Sequence, residues 1–127
     1  MSYNGWEAKA FGFTNTVKPF SITGKKDGAS FQIQLEDIFY FESVNDTTFI
    51  YCEKEIFECD RKLYELENEL SNSSFVRVSK SSILNTSHIF CVKALINGKF
   101  EAKLNNEERI IINRHYVQAF KEKLNIK

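Results

Sequence analysis

Several kinds of protein chemistry need residues that this chain of 127 hardly has. Its three cysteines, Cys52, Cys59 and Cys91, are odd in number and include no C-x-x-C pair, which reads as reduced thiols in a cytosolic protein rather than a disulfide framework. One proline and five glycines leave little room for disordered filler. The only histidines, His88 and His115, have no Cys or His partner at metal spacing, so no zinc site is expected. No apolar run approaches the roughly 20 residues of a membrane helix. Met1 to Gly12 lacks the charged start, apolar stretch and cleavage site of a signal peptide. There is no P-loop, no G-x-G-x-x-G, no G-x-S-x-G and no Ser with a matched His and acid. The paired carboxylates Glu36-Asp37 and Glu107-Glu108 sit at strand or turn edges, where solvation accounts for them. Catalysis is the weakest functional expectation, and no cofactor is expected.

A surplus of charge is also missing, because 17 Lys and Arg balance 17 Asp and Glu. That excludes a uniformly basic coat for nucleic acid or an anionic membrane, though not a basic patch. Position changes the picture. Residues 1–35 carry four Lys against Glu7 and Asp27, net +2. Residues 36–70 carry eleven acids against Lys54, Arg61 and Lys62, net −8. Residues 71–127 carry ten bases against Glu101, Glu107, Glu108 and Glu122, net +6. By charge alone, ordinary solvated faces explain this division.

What is present is a core. Twelve Phe in one short chain argue for a single globular domain large enough to fold without staples. Residues 1–29 form a weakly patterned lead, with Trp6, Phe11, Phe13, Val17 and Phe20 irregularly spaced and a turn-rich break at Gly24 to Gly28. From Ser30 the alternation of Phe31, Ile33 and Leu35 predicts a half-buried strand. Asp37 to Glu42 predicts a second strand with aromatics on both faces, hence buried on both. Asn45-Asp46-Thr47-Thr48 reads as a polar turn, and Phe49–Glu53 with Glu55–Cys59 as a hairpin. Asp60 is a candidate N-cap for a helix near 61–71, with Leu63, Leu66 and Leu70 on one face. Phe75 to Val78, His88 to Ile96, Phe100 to Leu104 and Arg109 to Ile112 read as further strands. Asn97-Gly98 is a strong hairpin signal, since both central residues of a type I′ turn need positive φ. Tyr116, Val117, Phe120 and Leu124 predict a closing helix. The expected fold class is mainly β, several small antiparallel sheets with two short helices.

Three polar segments end apolar strands: Asn45 to Thr48, Ser79 to Ser82, and Asn113-Arg114-His115. Loops set by a rigid β scaffold are where binding residues concentrate, although each alone is explained by exposure. Arg and Lys can donate to guanine O6 and N7, while Ser, Thr and Asn can hold phosphates.

Read in order, the motifs resemble a LytTR-type DNA-binding domain of bacterial LytR/AlgR-type transcription regulators. The likeness runs through Leu35-x-Asp37-Ile38-x-Tyr40-x-Glu42-Ser43 and Leu63-x-x-Leu66-Glu67-x-x-Leu70. It continues in Phe75-x-Arg77-x-x-x-Ser81-x-Ile83-x-Asn85-x-x-x-Ile89, the Asn97-Gly98 turn, and Arg114-x-Tyr116-x-x-x-Phe120-Lys121-x-x-Leu124. It covers about three quarters of the chain, Ser30 to Leu124.

The resemblance implies a sequence-specific, cytoplasmic transcription regulator that inserts loops into successive major grooves of duplex DNA. Carried over by position, Arg114, Lys80 and Thr48 are the base-contacting residues, with Ser81, Ser79, Asn45 and His115 towards phosphate. Many family members have His-Arg-Ser where this chain has Ser79-Lys80-Ser81, and Lys keeps the charge but loses the guanidinium fork. Arg77, inside a strand, is as well suited to a structural role against the acidic helix as to the DNA backbone. Residues 1–29 are expected as an N-terminal arm or remnant linker and 30–127 as the DNA-binding domain. Val17-Lys18-Pro19-Phe20 is similar to the Lys-Pro pair near the end of a receiver domain. The implied partners are DNA with paired repeats and a second copy of the chain on that DNA. The upstream partner is a sensor kinase if the chain is a fragment, or a membrane regulator if it is full length. The rival reading is a β-rich protein-interaction module without nucleic-acid binding.

Overall fold

A strand that is apolar on both faces needs a cover on each, and Ile38-Phe39-Tyr40-Phe41 organises the fold on that requirement. In the computed structural model, which describes residues 21–126, these four open strand β3 (Ile38–Val44) and all are buried. Strand β3 lies inside a seven-stranded antiparallel sheet. The other strands of that sheet are β1 (Ser21–Lys26), β2 (Ala29–Gln34), β4 (Thr47–Cys52), β5 (Ile56–Cys59), β6 (Phe75–Ser79) and β7 (Ser82–Asn85), in the spatial order β2-β1-β5-β4-β3-β7-β6, so that β3 pairs with β4 and β7. A second sheet of three strands, β8 (Ile89–Ala94), β9 (Phe100–Leu104) and β10 (Arg109–Ile112), has β9 in the middle. Two helices complete the described residues, α1 (Leu63–Glu69) and α2 (Val117–Leu124). None is long and apolar enough to cross a membrane.

The two faces of the large sheet make two cores. On one, Phe41, Ile50 and Ile83 pack with Leu63, Leu66 and Leu70, the leucine stripe of the α1 region. On the other, Tyr40, Val76, Val78 and Leu84 meet Ala102, Leu104 and Ile112 of the small sheet and Phe120 of α2. Adjacent residues Tyr40 and Phe41 serve opposite cores, as a period of two requires. Two polar side chains among the described residues are taken inside, Thr48 and Asn85. Asn85 accepts from the Ser74 hydroxyl at 2.6 Å and the Ser87 backbone N–H at 3.1 Å, and its amide donates to the Ile38 carbonyl at 2.8 Å. These bonds tie the start of β3 to both ends of the β6–β7 hairpin region, and satisfied groups of this kind can be buried at little cost.

Four expectations change. The lead expected over residues 1–29 contributes β1, which pairs with β2 along its length, Ser21 opposite Gln34 and Lys26 opposite Ala29. The break expected at Gly24 to Gly28 is a two-residue turn, Asp27-Gly28, at φ 53° and 80°. Gly24 is a strand residue instead: a Cβ there would come within 2.6 Å of Ile33 Cδ1 and 2.8 Å of Phe57 Cβ, so only glycine lets the strands pack this closely. Residues 1–20, with Trp6, Phe11, Phe13 and the Lys18-Pro19 pair, lie outside the described residues. Asp60 does not cap α1. It pairs with Lys25 at 3.1 Å, while Lys62 is the N-cap and its backbone N–H donates to Glu65 Oε1 at 2.8 Å. Leu35 lies in a single 3₁₀ turn, Leu35–Asp37, rather than in the strand. The two remaining motifs behave as expected: Asn97 and Gly98 have φ of 73° and 77°, and all three thiols are free.

Candidate nucleic-acid interface

Strand direction gathers the polar segments. The end of β3 lies beside the start of β7, so the β3–β4 and β6–β7 turns emerge at the same sheet edge. The first turn needs only two residues, Asn45 and Asp46, both with positive φ (51° and 67°) and both exposed. Asn and Asp tolerate that region best among non-glycine residues. Their sufficiency returns the β-branched threonines to the strand, which corrects the placement of Thr48. It is the second residue of β4, opposite Ser43 and Cys59, and only 3% exposed. Almost none of its surface can meet a base edge. The exposed polar groups of this turn are those of Asn45 and Asp46.

The second turn is Lys80-Ser81, closed by the pairing of Ser79 with Ser82. Lys80 is exposed, and no carboxylate among the described residues lies within ion-pair distance of it. The backbone N–H of Ser43, near the end of β3, donates to the Ser81 carbonyl at 2.8 Å, holding the second turn beside the strand that leads into the first. Ser79 Oγ accepts from the Ser81 N–H at 3.1 Å and lies 3.4 Å from Ser81 Oγ. The Ser79 hydroxyl is therefore engaged inside the turn. Between the two turns and the start of α1 is a shallow cleft of about 260 Å³, lined by Asp46, Thr48, Lys62, Arg77, Lys80 and Ser81 among others, Thr48 with only its small exposed fraction. Lys62 is a cation of this surface that the sequence reading passed over, because it sits in the acidic stretch.

The third segment follows β10. The Asn113 N–H donates to the Val78 carbonyl at 2.9 Å, which puts Arg114 next to the end of β6 and close to the Lys80 turn. A short 3₁₀ turn, Arg114–Tyr116, then runs into α2. Arg114 and His115 are both exposed, and Arg114 also has no carboxylate in ion-pair range among the described residues. A fourth element joins here: a Cβ placed on Gly98 would lie 3.7 Å from Arg114 Cβ. The tip of the β8–β9 hairpin, with exposed Ile96 and Lys99, thus belongs to the same surface. The signal for it was present in the Asn97-Gly98 pair, which marks a protruding turn. Arg77 of β6, on the wall of the same cleft, pairs with Glu67 at 2.7 Å. Among the described residues no cluster of His, Cys, Asp and Glu could hold a metal ion.

Comparison with known proteins identifies the family and the fold. Residues 28–125 match the family model described as the LytTr DNA-binding domain. An uncharacterized HTH-type transcriptional regulator of Staphylococcus aureus (strain bovine RF122 / ET3-1) is 29% identical over 112 residues, covering 86% of this chain and 74% of that protein. Sensory transduction protein LytR of Staphylococcus saprophyticus is 26% identical over 94 residues, covering 74% of this chain and 37% of that protein. Among solved structures, a LytTr DNA-binding domain from Bacillus cereus superimposes with a TM-score of 0.80 at 23% identity, over 85% of this chain and 99% of that one. That likeness shows the fold. A helix-turn-helix joins two helices by a short turn, whereas α1 and α2 here are separated by five strands.

Proposed function

Since the chain belongs to the LytTr DNA-binding domain family, we propose that it is a sequence-specific transcription regulator that reads duplex DNA through the turns of one sheet edge. The observation that carries the reading is the shared edge. Two exposed cations with no carboxylate partner among the described residues, Lys80 and Arg114, stand on segments tied to neighbouring strands by the Asn113–Val78 and Ser43–Ser81 backbone hydrogen bonds. Major-groove edges of bases present acceptors that Arg and Lys can reach, guanine O6 and N7 above all. Arg114, with its planar fork, is the main base reader, and Lys80 a second, less discriminating one. Ser81, Asn45 and His115 are placed to donate to phosphates, which fix register without reading sequence. Thr48 leaves the list of DNA contacts as a buried residue of β4, while Ser79, whose Oγ accepts from the Ser81 N–H, stays on it as a phosphate donor.

The DNA-binding unit includes the β1–β2 hairpin as well as the family-matched residues, and its targets are paired repeats bound by two copies. The upstream partner is a sensor kinase or a membrane regulator. A protein-interaction module would use the same surface without salt-sensitive DNA affinity. Titrating a labelled duplex at rising salt separates the two. A DNA reader that neutralises several phosphates loses affinity steeply, with a log–log slope of about −0.9 per phosphate contact. No binding at low salt to any duplex of the source genome would refute the proposal.

A further inference from the structure

The Lys80 turn has one internal side-chain bond, the Ser81 N–H on Ser79 Oγ at 3.1 Å, a weak serine turn. Ser79-Lys80-Ser81-Ser82 has no glycine, no proline and no Asn or Asp, the stronger turn formers. The larger constraint comes from Arg77, two residues before it. Its Nε donates to the Ser79 carbonyl at 2.7 Å, its Nη2 to the Lys80 carbonyl at 2.5 Å and its Nη1 to Glu67 Oε1 at 2.7 Å. Three bonds from one planar group hold two successive carbonyls of the turn and tether them to α1. A lysine ammonium, a point charge on a flexible stem, cannot reproduce that fork. The register also shifts between Arg77 and Ser79, a bulge of the kind that re-aims a strand end. The Arg77 side chain is only 18% exposed, so it offers the solvent side little.

We propose that Arg77, steered by Glu67, is a positioning residue for DNA recognition: it sets the direction of Lys80 without touching the duplex. The proposal rests on the DNA-reading function above. It also accounts for Glu67, which is otherwise a carboxylate close to a DNA-facing turn. There it would repel phosphates, and its contribution is to hold the guanidinium in the plane of the two carbonyls.

The test uses the full chain and a duplex selected from a random pool by the unsubstituted protein, with a scrambled duplex as reference. Affinity is measured against salt for the unsubstituted protein, Arg77→Lys, Arg77→Gln and Glu67→Gln, each well below its own melting temperature. Positioning predicts that Arg77→Lys loses about tenfold on the selected duplex, the weight of one charge-assisted hydrogen bond. Its affinity for scrambled DNA and its salt slope stay unchanged. Glu67→Gln loses selected-duplex affinity in the same direction, although removing a negative charge should by simple electrostatics tighten binding to both duplexes. The proposal is overturned if Arg77→Lys and Arg77→Gln bind the selected duplex as the unsubstituted protein does. It is equally overturned if Arg77→Gln weakens both duplexes alike with the salt slope lower by about one, the mark of a direct phosphate contact. Tighter binding of Glu67→Gln to both duplexes would also overturn it. If the unsubstituted protein enriches no duplex at all, the function itself fails and this proposal falls with it. That outcome is distinct from an enriched duplex that every variant binds equally.

Discussion

The two proposed base readers are held by opposite means. Lys80 rides on a turn fixed by polar contacts: the Arg77 fork, the Ser43 N–H on the Ser81 carbonyl, and the Ser79 hydroxyl on the Ser81 N–H. Arg114 rides on a segment fixed by apolar burial. Ile112 before it and Phe120 after it are both fully buried, with one backbone bond from Asn113 to Val78 between the two regions. A polar brace can be loosened one bond at a time while the domain stays folded. A packed brace holds until the core itself gives way. The comparison teaches that Lys80 is the reader open to tuning by single polar changes, and Arg114 the reader whose aim is as stable as the small-sheet core.

The largest expected effect breaks the packed side. Phe120→Ala should lower stability by about 3–5 kcal/mol, the usual cost of deleting a buried aromatic. Denaturant unfolding measures the loss. Affinity for every duplex should then fall in proportion to the folded fraction, because Arg114 goes with its core. Next comes Arg114→Ala, which should cost about 1–3 kcal/mol on the selected site and little on scrambled DNA, read by competition binding. Equal losses on both would reduce Arg114 to a phosphate contact. Lys80→Ala should cost about 1 kcal/mol on the selected site, less than Arg114→Ala because a lysine reads a base edge without a fork. Thr48→Val should leave the selected-site affinity within about twofold, since Thr48 is buried in β4 and offers solvent almost no surface. A larger loss would restore Thr48 as a DNA contact.

The thiols give a quieter check on the α1 core. Burial pushes the Cys52 thiol up to about 11, helped by Asp37 and Glu55, and burial also raises Cys59, which lies in the α1 core. Raised thiols stay protonated and unreactive at pH 8, so exposed Cys91 should alkylate first by mass spectrometry. Arg77→Lys should keep that order if only the polar brace is touched.

Much of the fold was legible because its signals are local. The double-faced aromatics at 38–41, the leucine stripe at 63–70 and the Asn97-Gly98 turn each state their environment within a few residues, and each behaves as read. β1 was missed because Gly24, a poor strand former by propensity, is there for a contact with Ile33 and Phe57 that no local window contains. Asp60 was misread as a cap because its partner, Lys25, is distant in sequence. The positions of Lys80 and Arg114 were legible from motif order. That their segments meet was not, since it depends on the Asn113–Val78 hydrogen bond between residues 35 apart. Thr48 shows a different limit: a four-residue polar run reads as one turn, whereas two residues close it.

Parallel selection from a random duplex pool, with the unsubstituted protein and Arg114→Ala, tests the central claim most directly. The account predicts one enriched motif for the unsubstituted protein and relaxed base preference at a defined position for Arg114→Ala. A bound pool indistinguishable from the input at low salt, or the same motif with undiminished preference in the variant, would contradict it.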